Sequence, residues 1–394
     1  MTTLGLVGLV AMALLFDYTN GFHDSANSIA TVVATRVLRP RLAVAWAASF
    51  NFIAFLVVGT AVANTVGQTI KPGYLDMTVV FAALLGAITW NYTSWHLGLP
   101  TSSSHALVGG LVGAGLARGG FEAIKASSVE KTAVFIVISP IAGLVLGAVI
   151  MTALRLLLAR ADVARTERGF RWAQLASSAA VSLGHGGNDA QKTMGVIAAL
   201  LVSTGHLQAT GDELPIPLWV GLAASAAIAL GTLSGGWRIV RTMGTRITRL
   251  RPVSGFAAET GAAVALFGST AIGAPVSTTH TVAGAITGVG VANRGTEVDW
   301  RVFGRVALAW LVTIPVAALV AAAAYLLSTL PARTASIVIM SLVVIGLLAL
   351  LVVAVRHAPG AVDVESELVG DGDVEVPLRP GTGSLIENRR PEPL

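Results

Sequence analysis

Five apolar runs, at residues 42–63, 134–158, 218–233, 302–327 and 337–355, each approach the roughly 20 residues a helix needs to cross the hydrocarbon core of a bilayer. A chain with several such runs has little choice of architecture. In hydrocarbon every backbone amide and carbonyl must be satisfied within the structure, which leaves helices or a closed barrel, and runs of this length are helical. Only 12% of the 394 residues are charged, against about a quarter in a soluble domain. The expected fold is an all-α integral membrane protein that crosses the cell membrane many times.

The net charge of +5 comes largely from Arg in short loops, which fits a positive-inside bias and not a nucleic-acid surface. The segments around Arg36, Arg39 and Arg41, across 155–171 and from Arg238 to Arg251 are therefore assigned to the cytoplasm. This leaves the N-terminus outside and the C-terminal tail inside. Lys and Arg are absent before Arg36, so the opening segment lacks the basic region of a cleaved signal and reads as a true first span. Without cysteine the chain has no disulfide, thiolate nucleophile or thiolate metal site.

Two motifs recur in the same order. Asn20-Gly-Phe-His-Asp24-Ser-Ala-Asn27 returns as His185-Gly-Gly-Asn188-Asp189-Ala-Gln-Lys192, and Gly98-Leu-Pro100-Thr-Ser-Ser-Ser104-His105 returns as Gly273-Ala-Pro275-Val-Ser-Thr-Thr279-His280. Asp24 and Asp189 lie 165 residues apart, Pro100 and Pro275 lie 175 apart. With basic ends assigned inside, the first copy starts outside and the second starts inside. Two inverted-topology repeats with broken helices are the plan of secondary transporters, whose sites lie near the midplane. The division is a first membrane repeat at 1–158, a basic cytoplasmic loop at 159–172 and a second repeat at 173–330. A final membrane helix follows at 331–358, then a disordered tail at 359–394 rich in Gly, Pro, Asp and Glu. Broken helices or re-entrant hairpins at Pro100 and Pro275 bring the expected total to about 10–12 membrane segments. The polar-centred stretches around Asp24 and Asp189 read as interrupted helices or as helices lining a cavity.

Acids inside a membrane are costly and usually functional, so Asp24 and Asp189 read as ligands for a cation or proton, against the plainer role of satisfying helix backbone at a packing interface. Asn20, Asn27, Asn188 and Gln191 set neutral oxygens beside them, as hard cations require; a carboxylate without a metal can instead take up a proton. Lys192, one turn from Asn188 and Asp189, is either a side chain snorkelling to the interface or an internal cation meeting an acid or an anionic substrate. His23 and His185 are open between core histidines and a proton relay. Ser102, Ser103, Ser104, Ser277, Thr278 and Thr279 follow prolines at helix starts, where hydroxyls act as caps and free amides with positive partial charge suit an oxyanion. Two such ends from inverted halves suit a tetrahedral oxyanion. An intramembrane serine hydrolase using His105 or His280 is the enzyme alternative, disfavoured because the arrangement is duplicated. Gly109, Gly110, Gly113 and Gly115 suit close helix packing, and no P-loop is present.

These motifs resemble those of the inorganic phosphate transporters of the PiT type, whose members carry two copies of a motif near Gly-Ala-Asn-Asp-x-Ala-Asn and two Pro-x-Ser-x-x-His joints. The resemblance spans about 1–330, with His23 and Lys192 standing where the family pattern has Asn. It implies a non-enzymatic symporter importing inorganic phosphate, free or as a metal-phosphate complex, coupled to protons or sodium and without a cofactor. Phosphate is then expected on Ser102, Ser103, Ser104, Ser277, Thr278, Thr279 and Gln191. The coupling ion is expected on Asp24, Asn27, Asn20, Asn188, Asp189 and Lys192, with sodium, if it is the ion, at Asp24, Asn27, Asn188 and Asp189. The expected partners are phosphate and the lipid bilayer, with a homodimer left open and no nucleic acid. A symporter for another oxyanion such as sulfate is the alternative.

Overall fold

The apolar runs that fall among the described residues are helical in the computed structural model, except that the run at 42–63 breaks at residues 58–60 into two helices. The structure describes residues 3–209, 211, 213–293 and 297–331, with 338, 340–346, 349, 352 and 360 beyond them. Of the expected final helix, residues 338, 340–346, 349 and 352 are described and helical, whereas the expected tail lies outside the described residues except for residue 360. The order is α1 (Thr3–Ala34), α2 (Pro40–Val57), α3 (Ala61–Gly67), α4 (Met77–His96), α5 (Ser103–Gly119), α6 (Ala126–Leu157), α7 (Val163–Ser203), α8 (Leu218–Ser234), α9 (Trp237–Arg241, continued as a π turn Thr242–Arg246), α10 (Pro252–Ala271), α11 (Thr278–Ala292) and α12 (Trp300–Ser328). Among the described residues there is no β-strand.

Helices α1, α2, α4, α6 and α12 are long and apolar enough to span a membrane, and α8 with α9 and its π turn, bent by 65°, makes a sixth. The higher count expected from sequence took in the short arms α5 and α11 and the polar-centred α7. Of the two readings of the polar-centred stretches, the interrupted one does not hold: α1 runs through Asp24 and α7 runs for 41 residues through Asp189. Two boundaries differ. The basic stretch 159–172 is a connection only as far as Asp162, whose carboxylate accepts from the Arg165 N–H at 2.7 Å and starts α7. Residues 238–246, expected as loop, are helical.

The joints at Pro100 and Pro275 are helical hairpin tips, and their sequence explains them. Gly98 at φ 65° and Gly273 at φ 63° take the left-handed conformation that ends a helix. The Gly98 and Leu99 amides donate to Trp95 and Ser94, both at 2.9 Å, and the Gly273 and Ala274 amides donate to Thr270 and Ser269 at 3.0 and 2.9 Å. Proline two residues on cannot continue the helix. Ser102 and Ser277 then open the next one, accepting from the His105 and His280 amides at 3.2 and 3.1 Å. Gly98→Ala meets nothing closer than 3.7 Å, so only the left-handed backbone opposes it. The variant is expected to lose about 1 kcal/mol, seen as a lower melting temperature in detergent; an unchanged melting temperature would contradict this account of the turn.

The two hairpins enter from opposite ends of the protein. The base of α4–α5 is closed by Asp76 and Arg118 at 3.4 Å, next to the start of α6, where the Lys125 amide donates to Thr69 O at 3.0 Å. The base of α10–α11 lies at the other end of α6, where Arg155 donates to Ala292 O at 2.9 Å. Each hairpin packs on a long helix of the other half, α11 along α6 and α5 along α12. Glycines allow the approach: a Cβ on Gly288 would sit 2.0 Å from Leu144 O, and one on Gly113 2.1 Å from Ala318 O. Likewise α8 packs on α1 and α2 on α7. The halves are thus interlocked, and the hairpin tips meet on α1 and α7.

Candidate functional site: two helix tips on two buried acids

The site is a set of side chains no more than 2% exposed, contributed by α1, α7 and the tips of both hairpins. Ser103, at the start of α5, donates to Asp24 Oδ1 at 3.3 Å. Thr278, at the start of α11, donates to Asp189 Oδ1 at 3.2 Å. The same relation is made twice, by residues from equivalent motif positions. The acids also converge: Asp24, Asp189 and His185 each offer a ligand atom within 4.8 Å of the others. The tips touch each other, with Ser104 donating to Val276 O at 3.4 Å and the His105 and His280 rings edge to face at 4.6 Å.

Each acid carries a basic neighbour from its own helix. His23 Nδ1 lies 2.5 Å from Asp24 Oδ1, and its Nε2 lies 3.0 Å from Ser94 Oγ. Lys192 Nζ donates to Asp189 Oδ1 and to Ser104 Oγ, and at 2.9 Å to Val276 O. Lys192 is therefore an internal cation and not a snorkelling one. His185 Nε2 stands 3.3 Å from Asp189 Oδ2, while its Nδ1 is 3.3 Å from Asn51 Oδ1.

The amides divide. Asn27 donates to Thr279 at 3.0 Å, and Asn188 ties α7 to the second hairpin through Thr270 at 2.9 Å and Ala274 O at 3.3 Å. The carbonyl oxygens of Asn20, Asn27 and Asn188 have no hydrogen-bond partner, which leaves three neutral oxygens beside the carboxylates. Gln191 lies apart from the other residues expected to bind the substrate. Its oxygen accepts from the Val62 and Ala63 amides at 2.8 and 3.3 Å, and its nitrogen donates to Gly59 O and Gly187 O. This side chain is occupied in capping α3, and the structure does not bring it into the tip cluster. Ser102 and Ser277 are at the tips, with their oxygens engaged as helix caps. The His105 and His280 ring nitrogens lack hydrogen-bond partners, and His280 stacks on Trp310 at 4.0 Å; neither ring is paired with a serine hydroxyl.

Sequence reasoning missed three residues. Thr101 donates to Ser94 at 2.8 Å and stands 3.4 Å from His23 Nε2, so the first tip also holds the histidine. Asp17, fully buried two turns before Asp24, faces Thr193 and Asn20. Glu259 on α10 accepts from Thr31 at 2.5 Å, from Gln174 at 3.0 Å and from Ser177. The reasoning that singled out Asp24, an acid in an apolar span, applies equally to Asp17 and Glu259.

Residues 20–321 match the model of the phosphate transporter family. A probable low-affinity inorganic phosphate transporter of Rhizobium meliloti (strain 1021) is 55% identical over 328 residues, covering 83% of this chain and 97% of that protein. A protein of the same description from Bacillus subtilis (strain 168) is 41% identical over 320 residues, covering 80% and 95%. The fold is similar to the solved structure of a sodium-dependent phosphate transporter, with a TM-score of 0.73 at 24% identity over 82% of this chain and 98% of that one. A chain with several apolar helices, two hairpin tips meeting on buried acids and this extent of similarity belongs to the phosphate transporter family, a family of membrane transporters and not of enzymes.

Proposed function

We propose that the chain is a symporter that imports inorganic phosphate with protons, working by alternating access between two inverted repeats. The observation that carries this reading is the paired contact of Ser103 with Asp24 and of Thr278 with Asp189, which joins donor-rich helix starts to ionisable groups in one buried cluster. Helix starts carry amides without intrahelical partners and a positive partial charge; the Thr279 hydroxyl adds a donor, and those of Ser103, Ser104 and Thr278, which here donate to Asp24, Val276 O and Asp189, add theirs on turning to a bound oxyanion. That set suits the oxygens of phosphate. Asp24 suits a proton because it is a buried carboxylate with the His23 imidazole, a second group able to carry one, as its hydrogen-bond partner. The site is closed to both sides, and import requires the hairpins to part from α1 and α7 in turn.

Orientation is supported by the basic segments meeting at one end. Arg171 donates to Arg36 O at 3.0 Å and Arg251 pairs with Glu167 at 2.8 Å, so the first two Arg-rich stretches and the Arg251 end of the third share a side, which we assign to the cytoplasm, with the N-terminus outside. Sodium is the second reading, favoured by the unpartnered oxygens of Asn20, Asn27 and Asn188. Reconstituted protein is expected to accumulate labelled phosphate under an imposed inward proton gradient with sodium absent, and excess sulfate is not expected to compete. Accumulation that needs a sodium gradient would replace the proton by sodium. Equal competition by sulfate would remove phosphate as the specific substrate.

A further inference from the structure

The contacts that repeat between the two halves expose one that does not. Asn27 lies three residues after Asp24, and Lys192 lies three after Asp189. Each reaches across to the equivalent position of a hairpin tip: Asn27 to Thr279, and Lys192 to Ser104. The Asn27 oxygen is left without a partner. The Lys192 ammonium, 2% exposed, is fully used, on the Asp189 carboxylate, the Ser104 hydroxyl and the Val276 carbonyl. A carboxylate, a hydroxyl and a backbone carbonyl are the oxygen types that hold a hard metal cation, and here three N–H donors of one ammonium satisfy them.

We propose that Lys192 is a tethered cation, its ammonium filling on the Asp189 side a position that would otherwise take a mobile monovalent cation. Lysine and a sodium ion carry the same charge, and the same three oxygens cannot hold both. The chain therefore runs its cycle with one mobile cation fewer than a protein with an amide at position 192, and residue 192 determines which ions couple. Only the transport consequence rests on the phosphate symport reading; occupancy of the position does not.

The test is binding of radioactive sodium to purified full-length protein without phosphate. Lys192→Asn is expected to bind one more sodium per chain than the wild type. Lys192→Arg is expected to match the wild type, and Lys192→Asn with Asp189→Asn to lose the added ion. Where Lys192→Asn does not fold, Lys192→Gln supplies the same uncharged amide and the same expectation. A sodium count in the amide variants equal to that of the wild type would overturn the proposal. In proteoliposomes, sodium is expected to stimulate phosphate uptake by Lys192→Asn about tenfold, the response to roughly 1.4 kcal/mol of added coupling, with little effect on the wild type. An added sodium site together with a wild type that moves no phosphate would refute the transport reading alone. An unchanged sodium count with normal wild-type flux would refute the tethered cation alone.

Discussion

Asp189→Asn is expected to reach the membrane folded and to lose coupled phosphate accumulation to background. Asp189 accepts from Lys192 and Thr278 and faces His185, so the amide removes the charge that balances Lys192 inside the protein. Breaking a buried pair by removing one partner destabilises by about 3–5 kcal/mol, and the melting temperature should fall with the activity. Converting Lys192 to Asn as well separates the two effects. The double variant removes both charges and is expected to recover most of the melting temperature while still failing to accumulate phosphate. Normal accumulation by Asp189→Asn would show that the Asp189–Lys192 pair is not needed for coupled transport.

The second large effect is expected at the tips. Ser103→Ala or Thr278→Val should each raise the phosphate concentration for half-maximal uptake about tenfold, and the pair about a hundredfold. A hydrogen bond to a charged group contributes about 1.5–3 kcal/mol, and each 1.4 kcal/mol is about tenfold. The two hydroxyls come from different hairpins, so an effect of both on one apparent affinity requires that they share one ligand. An affinity reduced by only one of the two variants would place phosphate on one hairpin alone. Departure from additivity in the double variant would measure how tightly the tips act together.

Much of this architecture was legible in the sequence because its signals are local. The run from Gly98 to His105 contains a helix stop, a proline and a helix start within eight residues, and its copy at 273–280 contains the same. Asp24 and Asp189 stand out because acids are rare in apolar spans. The unbroken course of α1 and α7 was not legible: hydropathy sums side chains, so a polar cluster on a continuous helix looks the same as a gap in it. The placement of Gln191 on α3 was not legible because its partners, the amides opening that helix, lie about 130 positions away and nothing in the motif points to them. Lys192 was ambiguous for the same reason, since Ser104 and Val276 are brought to it only by hairpins entering from both ends. Glu259 was legible and overlooked.

The absence of cysteine makes the central claim, that both tips close over one phosphate, directly measurable. Thr101→Cys and Val276→Cys place single thiols at buried, equivalent positions of the two tips, and their labelling by a soluble thiol reagent reads each tip's opening. Phosphate is expected to slow labelling at both positions, with the same half-maximal concentration. Protection of one tip with the other unaffected would contradict a shared site.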